Sequence, residues 1–241
     1  MLKALITDID GTITGPDRRI HTGAIEMIRS LVDQGVEVVL ASGNTSCLMD
    51  ALCKMIGTKG SFIAENGGVY RIGFDGTPVI VGDQAAGRAA LETLQAHFRK
   101  QGTELNLYSP TYRFADLAFA RTVPADEVRA VLQDHPVQVI DTGFAIHLQT
   151  PGITKGSTLV PLAEALGLRP EDFLAVGDSV NDTRMIEAAG IGVAVANAHA
   201  DTKAAADYIT KEPYGSGFVE GVKKSILLIS GQGSGRQRYS P

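Results

Sequence analysis

Two apolar rhythms alternate along the first third of the chain. Residues 2–7 are rich in apolar positions and read as a buried strand. Residues 22–34 place Ala24, Ile25, Ile28, Leu31 and Val32 at helical spacing, and Gly35 follows where glycine commonly ends a helix. Residues 36–41 and 61–64 read as two more strands, with a helix over 45–56 between them. Strand and helix in strict alternation predict a parallel sheet with helices on both faces.

The rhythm changes in the middle. Residues 85–100 are helical, with Leu91, Leu94 and Phe98 on one stripe. Strands are expected at 105–107 and 114–121, and a helix at 124–134 that opens on Pro124. Two β-rich runs follow, 137–141 and 144–149, split by Thr142-Gly143. The first rhythm then resumes. Helices are expected at 155–168, 182–189, 201–206 and 217–229, and strands at 173–176 and 191–195. Pro161 falls inside the first of these helices, where a kink is expected. The architecture predicted is α/β: a Rossmann-like doubly wound parallel sheet core from residues 1–82 and 154–229. A small α+β domain, residues 83–153, is inserted within it. Residues 230–241 are rich in glycine and serine and read as a disordered tail.

Composition narrows the function classes. The 241 residues are 44% hydrophobic and 20% charged, an ordinary globular balance. The net charge of −5 and the absence of clustered Lys and Arg argue against a nucleic-acid partner, and Arg236 and Arg238 are too few to change that. No apolar run approaches the roughly 18 residues of a membrane span. The N-terminus starts directly as a strand, without the pattern of a secretory signal, so a cytoplasmic location is expected. Cys47 and Cys53 lack metal-ligand spacing and read as reduced packing residues. Val- and Leu-rich stretches of the inserted segment could pair two copies in a homodimer.

The chemistry is concentrated at two strand ends. The first strand runs into Asp8-Ile9-Asp10-Gly11-Thr12, and the strand at 173–176 runs into Gly177-Asp178-Ser179-Val180-Asn181-Asp182. Open α/β sheets bind ligands outside the carboxyl ends of their strands. If the two strands are neighbours, Asp8, Asp10, Asp178 and Asp182 meet in one crevice. Two like charges 4 Å apart repel by about 4 kcal/mol at an effective dielectric of 20. Four of them need a cation, and an all-oxygen set suits Mg²⁺. Either motif alone could be a turn or a cap. Both together, at equivalent places on two strands, point to a metal cradle.

These two motifs, with Ser42 after the second strand and Lys155 at a helix start, resemble the four motifs of the haloacid dehalogenase-like hydrolase superfamily. The long insertion and Glu65-Asn66-Gly67-Gly68 before it resemble the subclass with a large α/β cap, the Cof type. The resemblance spans residues 1–229. It implies that Asp8 is a nucleophile forming an aspartyl-phosphate and that Asp10 is the acid and base. Asp8, Asp10 through its main-chain carbonyl, Asp178 and Asp182 would hold Mg²⁺. Ser42 and Gly43, Lys155 and Asn181 would bind the phosphoryl group or substrate. Ala41-Ser42-Gly43-Asn44 and the other motifs most resemble the archaeal branch that acts on 2-phosphoglycolate, so a small phosphorylated metabolite is the implied partner. A carboxylated substrate would need a cation from the cap, with Arg113, Arg121 and His147 as candidates, while His97 reads as packing or surface. A sugar-phosphate phosphatase, a phosphomutase, a phospho-acceptor domain and a non-catalytic regulator remain open.

Overall fold

The computed structural model describes residues 2–231. In chain order the elements are β1 (Ala4–Asp8), α1 (Thr22–Asp33), β2 (Glu37–Ala41), α2 (Ser46–Ile56), β3 (Phe62–Ala64), β4 (Val69–Arg71) and β5 (Val79–Ile80). Then come α3 (Gln84–Lys100), β6 (Leu117–Ala120), α4 (Ala125–Val131), β7 (Gln138–Asp141) and β8 (Ala145–Gln149). The last stretch holds α5 (Lys155–Ala165), β9 (Phe173–Gly177), α6 (Thr183–Ala188), β10 (Ile191–Ala194), α7 (Ala200–Ala205), β11 (Tyr208–Ile209) and α8 (Tyr214–Ile229).

One sheet has the order β11-β10-β9-β1-β2-β3-β4-β5. Its strands are parallel from β11 to β3. Alternate residues of these strands face opposite ways, and each face finds its own helices. Leu5, Val38, Leu40, Phe62, Leu174 and Val176 pack with Ile28 of α1, Met49 of α2 and Phe218 of α8. Ala4, Ile6, Val39, Ile63, Phe173 and Ala175 pack with Leu159 and Leu162 of α5 and Met185 of α6. This is why the strands read as continuous apolar runs: both of their faces are covered. Each fully buried Leu, Ile or Phe contributes about 1.5–3 kcal/mol. The doubly wound α/β arrangement is as expected.

A second, antiparallel sheet has the order β6-β8-β7. It builds a separate apolar cluster in which Phe119, Ile146 and Leu148 meet Leu91, Leu94 and Phe98 of α3 and Val128 of α4.

Several boundaries differ from the sequence expectation. A hairpin of β4 and β5 extends the large sheet antiparallel to β3. Its two- and three-residue strands are too short to show a period. Residues 105–107 form no strand, and Leu107 makes a single antiparallel bridge to Phe119. The strand expected over 114–121 is only β6, because the amides of Phe114, Ala115 and Asp116 turn to the Glu65 carboxylate instead of a neighbouring strand. α5 runs through Pro161 and ends at Ala165, before Gly167 takes a φ of 69°. α8 begins at Tyr214, three residues early. Cys53 is buried as expected, but Cys47 is not a packing residue: it lies exposed on the outer side of α2. Among the described residues no helix is long and apolar enough to cross a membrane. The tail expectation falls, beyond residue 231, outside the described residues.

Candidate active site

The carboxyl end of the large sheet collects the polar residues singled out above. β1 is the axis of the site. On one side it pairs with β2, Asp8 opposite Ala41; on the other it pairs with β9, Thr7 opposite Val176. That register brings Asp8, Ser42 and Asp178 to one end of three adjacent strands.

The turn after β1 is set by its own backbone. The Ile9 carbonyl accepts the amides of Ile13 and Thr14, both at 3.0 Å, while the Ile9 side chain is buried in the core. Gly11 turns the chain with a φ of +89°, and a Cβ there would collide with the Asp178 carboxylate. Glycine is therefore required twice, by conformation and by space. Thr12 Oγ1 donates to Asp178 Oδ1 at 2.9 Å and ties the two strand ends together. After β9 the chain makes a single 3-10 turn, Val180–Asp182. The turn is closed by Asp182 Oδ2, which accepts from the amides of Asp178 and Ser179, each at 3.0 Å.

Lys155 is the first residue of α5 and is fully buried. Thr154 caps the helix, its hydroxyl accepting from the Ser157 amide at 3.0 Å. A lysine at a helix N-terminus opposes the helix dipole. Two carboxylates compensate: Nζ donates to Asp8 Oδ1 at 2.6 Å and to Asp182 Oδ1 at 2.7 Å.

The opposite wall is made by the loops after β2 and β3. Ser42 Oγ accepts from the Asn44 amide at 3.2 Å and from Asn44 Nδ2 at 2.9 Å. With both lone pairs engaged, its proton is left to donate. Asn44 Nδ2 also donates to Asp10 Oδ2 at 2.9 Å, which fixes the direction of that carboxyl. Glu65 and Asn66 both take left-handed backbone conformations, φ 51° and 54°. Each costs roughly 1–2 kcal/mol. The Asn44 and Ser42 carbonyls hold them there by accepting their amides at 2.9 and 3.1 Å. Gly43 leaves room for Asn66, whose Oδ1 would lie 2.9 Å from a Cβ at that position. Asn66 Oδ1 accepts from Asn181 Nδ2 at 2.8 Å.

Among the described residues, the buried polar atoms without a partner include Asp8 Oδ2, Asn66 Nδ2 and Asn181 Oδ1 at this end. Buried polar atoms are normally satisfied, so such a cluster marks where a ligand binds. The charge balance points the same way. Burial drives the Asp8 carboxyl well above its ordinary value; Lys155 pulls it down, and Asp182, Asp178 and Asp10 push it up again. Burial, then Asp182, raises Asp178 to about 7. Burial alone would lower the Lys155 amine, but Asp182 and Asp8 outweigh it and hold it above its usual range. One lysine does not neutralise this set. Oxygens of Asp8, Asp178 and Asp182 lie within 4.8 Å of one another, and a hard divalent cation such as Mg²⁺ fits the oxygen-only donors and the excess charge.

The geometry has counterparts of known family. The family model for haloacid dehalogenase-like hydrolases matches residues 5–129 and 117–221, nearly the whole chain. The chain belongs to the haloacid dehalogenase-like hydrolases. Among the members of this family similar to it is a protein of Methanoculleus marisnigri named phosphoglycolate phosphatase. It is 62% identical over 226 residues, 93% of this chain and 97% of the relative. One of the same name from Methanospirillum hungatei is 53% identical, covering 91% and 95%. Among solved structures, a Thermoplasma acidophilum protein superposes with a TM-score of 0.83 at 29% identity, over 94% and 99% of the two chains. A haloacid dehalogenase-like hydrolase from Bacteroides thetaiotaomicron shares the fold, with a TM-score of 0.70 at 23% identity over 95% and 100%.

All eight candidate positions of this hydrolase lie at the one end of the sheet. The three expected cap cations separate. Arg113 reaches the site loop, where Nη1 donates to the Gly43 carbonyl at 3.2 Å. His147 is buried and turns to Asp116, at 2.7 Å. Arg121 pairs with Asp141 on a more exposed surface. His97 contacts Glu127, half exposed, as a surface residue.

Sequence reasoning gave no role to Asn44, Glu65, Asn66 or Asp116. Asp116 had a legible signal, a single acid inside the apolar run Phe114-Ala115-Asp116-Leu117-Ala118-Phe119. It is fully buried between Arg113 and His147. Burial would raise its carboxyl, but His147 and Arg113 outweigh that and hold it below the usual range. Burial, then Asp116, pushes Glu65 the other way, to about 7.

Proposed function

We propose that this hydrolase is a Mg²⁺-dependent phosphatase that converts 2-phosphoglycolate to glycolate and phosphate. The observation that carries the reaction class is the state of Asp8. Its Oδ1 is held by Lys155, while Oδ2 is buried, unpartnered and free to attack. The substrate reading is supported by the name of relatives that are 62% and 53% identical to the chain where they align.

Asp8 Oδ2 attacks phosphorus, forming the aspartyl-phosphate as the bond to the glycolate oxygen breaks. Asp10 gives its proton to that oxygen, then takes one from the water that cleaves the intermediate. Asn44 holds Asp10 Oδ2 and leaves the other oxygen to carry the proton. Lys155 favours the ionised form of Asp8 against the effect of burial and offsets the repulsion between two anions. The Ser42 hydroxyl and Asn66 Nδ2 donate to phosphoryl oxygens, Gly43 gives the Asn66 side chain the room to reach in, and Asn181 orients Asn66. Asp8, Asp178 and the main-chain carbonyl of Asp10 would hold the Mg²⁺, with Asp182 beside them. Bound there, it screens the carboxylates from the phosphate and stabilises charge on the transferring group. Residues 83–153 act as the cap.

Phosphate release from 2-phosphoglycolate, sugar phosphates and an aryl phosphate tests the reading, with Mg²⁺ or EDTA and beside Asp8→Asn. 2-Phosphoglycolate is expected to show the highest kcat/KM, and both controls to be inactive. Faster turnover of sugar phosphates would overturn the substrate.

A further inference from the structure

Resting on the phosphoglycolate reading, we infer that Arg113 is the residue that recognises the carboxylate of the substrate's leaving group. The chemistry demands such a group. A substrate carrying a carboxylate two bonds from its phosphoester oxygen must bring that charge into a site already lined by Asp8, Asp10 and Asp178. The one cation among them, Lys155, already donates to two carboxylates.

Arg113 is placed for the task. Among the described residues, Lys155 and Arg113 are the two cationic side chains that hydrogen-bond to the loops at this end of the sheet. Arg113 bonds to the carbonyl of Gly43, the residue after Ser42, so its guanidinium lies one residue from a phosphoryl-binding hydroxyl. It comes from the segment between α3 and β6, across the crevice from the catalytic strands.

Its orientation is fixed from three directions. Nε donates to the Tyr108 carbonyl at 3.0 Å, and Nη1 donates to Gly43 and to Asp116 Oδ1, the latter at 2.6 Å. Asp116 is itself fixed by His147. The backbone that carries Arg113 is clamped as well: the Glu65 carboxylate accepts the amides of Phe114, Ala115 and Asp116 at 3.0, 2.8 and 3.2 Å. Among the described residues Nη2 has no protein partner, so the guanidinium keeps donors for an incoming anion. A planar guanidinium held this way presents its Nη2 N–H groups to a carboxylate without an ordering cost on binding. Burial to 6% of the side chain strengthens the contact further.

Steady-state kinetics on three esters tests the assignment: 2-phosphoglycolate, 2-phospholactate, and ethyl phosphate, which lacks the carboxylate. Arg113→Gln is expected to lower kcat/KM for 2-phosphoglycolate by roughly 10- to 100-fold, chiefly through KM, the scale of one hydrogen bond to a charged group. Ethyl phosphate should change by less than about threefold. Arg113→Lys keeps the charge beside Asp116 and controls for folding. It should melt closer to the wild type than Arg113→Gln does and lose the preference only in part, because an ammonium lacks the fixed, planar donors of the guanidinium. Equal losses on all three esters in either variant would overturn the assignment and leave Arg113 a structural residue. A wild-type protein indifferent to the carboxylate would overturn both it and the substrate reading. If the wild type prefers 2-phospholactate and Arg113→Gln abolishes that preference, the 2-phosphoglycolate reading fails while the role of Arg113 stands.

Discussion

Replacing Lys155 by methionine keeps most of the side-chain volume and removes the charge. In the structure that charge sits 2.6 Å from Asp8 and 2.7 Å from Asp182. At an effective dielectric of 20 each attraction is roughly 6 kcal/mol, offset by the cost of taking an ammonium out of water. Breaking buried pairs of this kind costs about 3–5 kcal/mol net. In a chain of this size each kcal/mol lowers Tm by about 2–4 °C, so a fall of roughly 6–20 °C is expected at pH 8. The sign with pH follows from the acids left behind. Asp8 and Asp178 already have raised pKa values, Asp178 near 7, and loss of the lysine raises them further. A folded-state pKa above the unfolded one means that the carboxylates are neutral, and cost least, at low pH; the penalty grows as pH rises through the folded value. Thermal denaturation of both proteins in EDTA at pH 5 and pH 8 should therefore show a much smaller gap at pH 5. Adding Mg²⁺ at pH 8 should recover part of the loss, while phosphate release stays at least 100-fold down because the transition state lacks its cation. An equal Tm deficit at both pH values, untouched by Mg²⁺, would mean that packing was lost and would refute the electrostatic account.

Two other substitutions separate parts of the site. Gly11→Ala should abolish turnover and weaken Mg²⁺ binding, read by calorimetry, because the new Cβ meets the Asp178 carboxylate and the φ of +89° is strained for alanine; wild-type Mg²⁺ affinity would count against that placement. Asp10→Asn should slow an alkyl phosphate by roughly 10²–10⁴-fold and an aryl phosphate far less, since phenolate leaves without a proton; equal losses would deny Asp10 the role of acid.

Much of this was readable in the residues. The apolar runs that fill β1, β2 and β9 could only be strands covered on both faces, and acids directly after β1 and β9 could only meet if those strands were neighbours, as the pairing of Ile6 with Ala175 makes them. What escaped depended on distant partners. Glu65 is unremarkable until the amides of Phe114 to Asp116 surround it. Asp116 becomes intelligible only once Arg113 and His147 flank it. Cys47 and Cys53 are separated by six residues, enough to place one in the core and the other in solvent. The β4–β5 hairpin is held by only two paired positions, Val69 with Ile80 and Tyr70 with Val79, and so has no period to detect.

The position of β9 between β1 and β10 bears on how the chain comes together. During synthesis, residues 1–82 can lay β1 beside β2 and β3, but the other edge of β1 stays unpaired while about ninety more residues are made. That edge belongs to a wholly buried strand, Ala4-Leu5-Ile6-Thr7-Asp8, and carries no charge before Asp8 to discourage pairing with another chain. The intervening residues have a sheet and an apolar cluster of their own. Docking of β9 then closes the edge and, in the same event, brings Asp178 and Asp182 to Asp8. Any chain cut off before residue 173 is left with both defects together, a sticky strand and no capacity to act, and an arrested nascent chain is most exposed to aggregation during that interval.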